Sequence, residues 1–136
     1  MRRVMVGIVL LTGLLLTACA NRPSMGEEFD RSAKAFNRMV RWHELENAGI
    51  TYIDPELREG YLKQAAILKK RGISFTDFRI LSSRFIPEKN AGDVIAEFEY
   101  FILPSNRVKT ISYRQEWIYQ ENSKSWKLKS GLPAFE

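Results

Sequence analysis

The chain has 136 residues, 45% of them hydrophobic and 27% charged, with 21 basic against 16 acidic side chains. That length suits one domain built on one core and is short for two. A single cysteine, Cys19, excludes an internal disulfide and a single histidine, His43, excludes a multi-histidine metal site, so stability must come from packing.

At the N-terminus, Arg2 and Arg3 precede an apolar run from Val4 to Leu16, which ends in Leu16-Thr17-Ala18-Cys19. A membrane span needs about 20 apolar residues. This run is shorter and is interrupted by Gly7, Thr12 and Gly13. A charged n-region, a short h-region and small residues before a cysteine resemble a bacterial lipoprotein signal peptide, a resemblance that covers residues 1–19. It implies cleavage before Cys19, a diacylglycerol thioether on that sulfur, and in many bacteria a further acyl chain such as palmitate on the new N-terminus. Each buried methylene contributes about 0.8 kcal/mol, so several acyl chains hold a protein firmly at a bilayer. Ala20 stands where some lipoproteins of this class carry an inner-membrane retention aspartate, which favours the periplasmic face of the outer membrane. The expected organisation is a signal peptide over 1–18, the lipidated cysteine with a polar linker over 19–26, and a single domain over 27–136. Loss of Arg2 and Arg3 with the leader takes the basic count from 21 to 19 against 16 acidic side chains, a net of +3. That modest, interspersed excess, in an envelope compartment, argues against nucleic acid as a partner.

From Glu27 to Asn47, Phe29, Ala33, Phe36, Met39 and Val40 recur at three- and four-residue spacing, which predicts an amphipathic helix. Glu27, Glu28 and Asp30 suit its first turn, and Asn47 with Gly49 supplies a stop. A second helix is predicted from Asp54-Pro55, an N-cap followed by a favoured first residue, to Lys69-Lys70-Arg71-Gly72, a basic last turn followed by a C′ glycine. Its apolar face is Leu57, Tyr61, Ala65 and Leu68.

Beyond Gly72 the pattern changes to two-residue alternation in four runs: Ser74 to Ile86, Asp93 to Leu103, Val108 to Gln120 and Ser125 to Ser130. A hairpin through Pro104 to Arg107 would pair Tyr100 with Ile111, Phe98 with Tyr113 and Val94 with Trp117, and would set Glu97 against Arg114. A hairpin at Asn122-Ser123 would pair Tyr119 with Trp126 and Trp117 with Leu128, with Glu116 meeting Lys129. In the first strand, Phe75, Leu81 and Phe85 favour one register while Phe78, Ile80 and Ile86 favour the other. A bulge near Leu81 to Ser83 would reconcile them.

Two helices followed by a curved four-stranded antiparallel meander predict an α+β roll with the helices on the aromatic face of the sheet. This element order is similar to the nuclear transport factor 2-like and cystatin-like folds. The resemblance concerns order alone and implies neither catalytic residues nor a cofactor, and such rolls host enzymes, ligand binders and assembly modules. Asp77 and Arg79 form the most interesting polar pair: in one register they point inward beside Tyr100, where with Tyr113 they would floor a pocket. The competing reading of the pair is a structural ion pair or plain exposure. Trp42-His43-Glu44 reads as a half-exposed helix face. Trp117, Trp126, Tyr113 and Tyr119 at strand spacing read as core more readily than as a ligand cage. Phosphate-binding glycine loops, Cys-His dyads and serine hydrolase elbows are lacking. The chain is therefore expected to be a membrane-tethered periplasmic module that binds an envelope protein or a small apolar ligand. A small enzyme with a pocket between helices and sheet, and a passive structural lipoprotein, are the alternatives.

Overall fold

The computed structural model describes residues 21–136. The expected signal peptide over 1–18 and Cys19 lie outside the described residues.

Helix α1, Met25–Arg41, begins where Ser24 caps it: the Ser24 Oγ accepts the Glu27 N–H at 3.2 Å, with Glu27 and Glu28 in the first turn. It buries Phe29, Ala33, Phe36 and Val40 along one stripe. Met25 and Gly26, assigned above to the linker, already belong to this helix.

The first predicted helix is in fact two. Trp42 ends α1, His43 adopts a left-handed φ of 65°, and the Glu44 N–H bonds back to the Met39 carbonyl at 2.9 Å. This reversal starts α2, Leu45–Tyr52, which turns Leu45 and Ala48 into the core. Asn47 and Gly49, expected to stop a helix, sit inside α2. Gly49 is where the Tyr61 ring packs, 2.5 Å from where a Cβ would stand.

Helix α3, Arg58–Arg71, ends as expected, with Lys69, Lys70 and Arg71 in its last turn and Gly72 left-handed at φ 74°. Its start is later than predicted. Asp54 closes the turn that leads into the helix: its carboxylate accepts the Glu56 N–H and the Gln120 amide, each at 2.9 Å, and its carbonyl accepts the Leu57 N–H.

The sheet is an antiparallel meander in the order β1 (Ile73–Ile86), β2 (Ala91–Ile102), β3 (Lys109–Gln120), β4 (Ser125–Leu128). Strand β1 carries two register shifts, between Phe75 and Asp77 and between Ile80 and Ser82. The second shift is the expected bulge and the first, at Thr76, is additional. Together they turn Phe75, Phe78, Ile80 and Phe85 to one face and leave Leu81 half exposed. The β3–β4 pairs are those predicted, Trp117 with Leu128 and Tyr119 with Trp126. The β2–β3 register is displaced by two residues: Phe98 faces Ile111, Ala96 faces Tyr113 and Tyr100 faces Lys109. An even displacement keeps every side chain on its predicted face. The cause is a longer loop, in which Leu103 leaves the hairpin to donate its N–H to the Gly72 carbonyl at 3.2 Å. Glu97 accordingly stands opposite Ser112 instead of Arg114.

The helices pack on the aromatic face. Phe36 lies at ring-centroid distances of 5.8 Å from Trp117, 6.2 Å from Tyr113 and 6.4 Å from Tyr61, and Phe29 lies 5.0 Å from Trp126. Burying side chains of this size stabilises by about 1.5–3 kcal/mol each before entropy is counted. After β4 the chain crosses beneath the sheet, burying Leu132 and Phe135, with Phe135 at 5.0 Å from Tyr100 and 5.3 Å from Phe75.

Candidate functional site

The extra bulge at Thr76 decides the fate of the predicted polar pair. It sends Phe78 and Ile80 inward, so Asp77 and Arg79 stand on the outer face, opposite Glu99 and Glu97. Arg79 pairs with Glu97 at 2.7 Å in solvent, and Asp77 Oδ1 accepts the Phe78 N–H at 2.8 Å. Tyr100 and Tyr113 are buried on the opposite face. The four residues therefore do not line one pocket: the register is the one that places Asp77 and Arg79 away from Tyr100. Exposed ion pairs of this kind are worth little to stability.

Tyr100 has a structural partner, its hydroxyl donating to the Glu136 carbonyl at 3.1 Å. Tyr113 and Tyr61 are buried with hydroxyls that make no hydrogen bond, and burial pushes the pKa of both above the ordinary tyrosine value, with mutual repulsion adding to it at Tyr113. His43 lies in the turn between α1 and α2, exposed, with its ring 6.1 Å from Phe75. Among the described residues no cluster of His, Cys, Asp and Glu is placed to hold a metal ion, and no helix is long and apolar enough to cross a membrane.

The space between helices and sheet is filled by Phe36, Trp117 and Trp126, all at most 2% exposed. The polar feature at that level is an amide pair that the sequence reading missed. Asn37 and Gln115 are fully buried and exchange two hydrogen bonds, at 3.2 and 2.7 Å. The signal was present in spacing: Asn37 lies four residues after Ala33 on the buried stripe of α1, and Gln115 alternates between Tyr113 and Trp117.

Several concavities lie at the surface, among them one of about 400 Å³ beside Arg84, Asp93, Arg114 and Glu116 on the outer face of the sheet. A groove of about 540 Å³ runs between α3 and the C-terminal segment, lined by Ile67, Leu68, Leu132, Pro133 and Ala134. A smaller one of about 270 Å³ is bounded by His43, Glu44, Asn47 and Lys69. Neither of the two beside α3 brings together a nucleophile, a base and an oxyanion donor.

No family model matches the chain, and no curated protein matches it. Among solved structures it is similar to a SEC-C motif containing protein from Rhodopseudomonas palustris, at 12% identity over 83% of each chain with a TM-score of 0.61. It also matches the intermembrane space region of the chloroplast protein ARC6, at 16% identity over 73% of this chain and 92% of that one, with a TM-score of 0.49. The first likeness shows the fold: an α+β domain with three helices packed on an open four-stranded antiparallel sheet.

Proposed function

We propose that the chain is a lipid-anchored envelope module that binds a partner protein and catalyses no reaction. The anchor is read from Arg2, Arg3, the apolar run and Leu16-Thr17-Ala18-Cys19, and the placement from Ala20. The observation that carries the binding role is the aromatic filling of the space between helices and sheet by Phe36, Trp117 and Trp126. With that space occupied, recognition falls to the surface. Helix α1 begins at Met25. Residues 20–24 reach at most about 18 Å at roughly 3.6 Å each, so the domain sits close to the bilayer. Partners must then meet it within a short distance of the membrane.

A second reading, a binder of small apolar ligands related to the nuclear transport factor 2-like or cystatin-like rolls, is favoured by the apolar groove between α3 and the C-terminal segment. The anchor is tested by Cys19→Ser in the native host with labelled palmitate. The variant is expected to incorporate no label and to keep its leader. A Cys19→Ser chain that is still labelled and processed refutes the lipoprotein assignment.

A further inference from the structure

The edge of the sheet beyond β4 is left open. Strand β4 pairs with Trp117–Gln120; just past it the Lys129 N–H bonds the Glu116 carbonyl and the Glu116 N–H bonds Ser130 Oγ, each at 2.8 Å, and at the far end of β3 the Lys109 ammonium donates to the Glu136 carbonyl at 2.6 Å. Past Gly131 it dives to bury Leu132 and Phe135. In an antiparallel strand alternate residues direct their backbone groups to the same side. Glu116 faces outward and the Tyr119 N–H faces inward, to the Asn90 carbonyl on the β2 side. Arg114, Ser112 and Thr110 are in phase with Glu116, so their N–H and C=O groups point out of the sheet. Their side chains are exposed, and no strand of the described residues covers them.

The opposite edge, β1, is interrupted by two bulges of the kind that discourage pairing, whereas β3 runs in unbroken register against β2. The open β3 segment is thus a regular, accessible template. On β3, β4 and their flanking turns Arg107, Lys109, Arg114, Lys124, Lys127 and Lys129 outnumber Glu116 and Glu121; Lys109 and Lys127 donate to the Glu136 and Thr51 carbonyls, Lys129 pairs with Asp54, and Glu97 and Glu99 of β2 stand opposite Ser112 and Thr110. Arg114 makes no ion pair among the described residues, and Val108 is exposed at the head of the strand. On the inner side lie Ile111 and the apolar C-terminal segment.

We propose that an extended, acidic segment of a partner protein adds to this edge as a fifth strand along Thr110–Arg114. Its backbone satisfies the outward groups of Thr110, Ser112 and Arg114, a carboxylate lies opposite Arg114, and its alternate apolar residues face Ile111 and the tail. The segment also lies toward the end of β3 remote from the anchor. Helix α1 starts beside Phe85, and its Glu28 shares a hollow with Lys124 in the β3–β4 turn, so the 103–108 hairpin lies at the end of the sheet opposite the start of α1.

This inference rests on the interaction reading above and names its site and partner chemistry. The test uses the full lipidated chain in detergent and a nine-residue peptide that alternates valine with threonine and glutamate. Hydrogen exchange resolved to single amides is expected to show new protection at Thr110, Ser112 and Arg114. The same peptide N-methylated at its bonding positions is expected to give none. Arg114→Glu is expected to weaken the glutamate peptide roughly five-fold, as one exposed charge pair dictates, and to favour a lysine-substituted peptide. Protection elsewhere, or equal binding of the methylated peptide, overturns the edge site. Protection that rises with protein concentration in the absence of peptide also overturns it, assigning the edge to a second copy. If a native partner co-extracts with the protein while these amides stay unprotected, the edge site fails and the interaction reading stands. If no partner is recovered, the interaction reading itself fails.

Discussion

Asn37 on α1 and Gln115 on β3, each wholly buried, hold one another through two amide hydrogen bonds across the centre of the core. The pair is nearly saturated: Asn37 Nδ2 also donates to the Ala33 carbonyl at 2.8 Å, and Trp117 Nε1 donates to Gln115 Oε1 at 3.2 Å. Because each amide is the other's main partner, removing one strands the other in an apolar setting. Asn37→Ala is therefore expected to destabilise by about 1–3 kcal/mol plus a cavity contribution, and Gln115→Leu by a similar amount. Replacing both with apolar residues is expected to cost less than the sum of the two. Denaturant midpoints of the single and double variants measure this, and strict additivity would show that the pair is not coupled.

Gly92 is where Phe29 of α1 rests on β2, its ring in contact with the position a Cβ would take. The ring cannot retreat, since it is packed between Trp126, Trp117 and Phe85. Gly92→Ala is expected to cost about 1–3 kcal/mol through overpacking, although alanine is a better strand residue than glycine. Thermal unfolding measures it, and an unchanged midpoint would contradict this packing.

Tyr61 and Tyr113 make stability fall in alkali. Burial holds both hydroxyls protonated in the folded chain past their ordinary value of 10.0. Above that pH the unfolded chain releases protons that the folded chain keeps, so stability is full below about pH 10 and declines as pH rises toward the folded-state values. Tyrosinate absorbance from these two residues is expected to appear together with unfolding, and Tyr113→Phe is expected to flatten the decline. Ionisation of both in a chain that remains folded would contradict their burial.

Much of this architecture could be read locally. Ser24, inside the expected linker, is the cap of α1, whereas Lys69-Lys70-Arg71-Gly72 ends α3 as its chemistry dictates, and the alternation of β3 and β4 sets their register because both keep tryptophans on one face. The break at His43 was not readable, because Trp42-His43-Glu44 contains neither glycine nor proline, and the reversal is imposed by burial of Leu45 and Ala48. The Thr76 bulge was hidden for a related reason: β1 carries apolar residues in both phases, so local pattern could not choose between them. That ambiguity undid the expected pocket, since Asp77 and Arg79 face outward once Phe78 faces in. The open edge of β3 depends on where the chain goes after Ser130, a matter of tertiary path that alternation does not encode.

The central claim, a lipid-anchored module that binds a partner, is tested most directly by native mass spectrometry of the protein gently extracted from its own host. The account predicts a chain beginning at Cys19, heavier by its acyl groups, and accompanied by a stoichiometric polypeptide. An unprocessed chain without lipid, or a lipidated chain that is always bare, would contradict it.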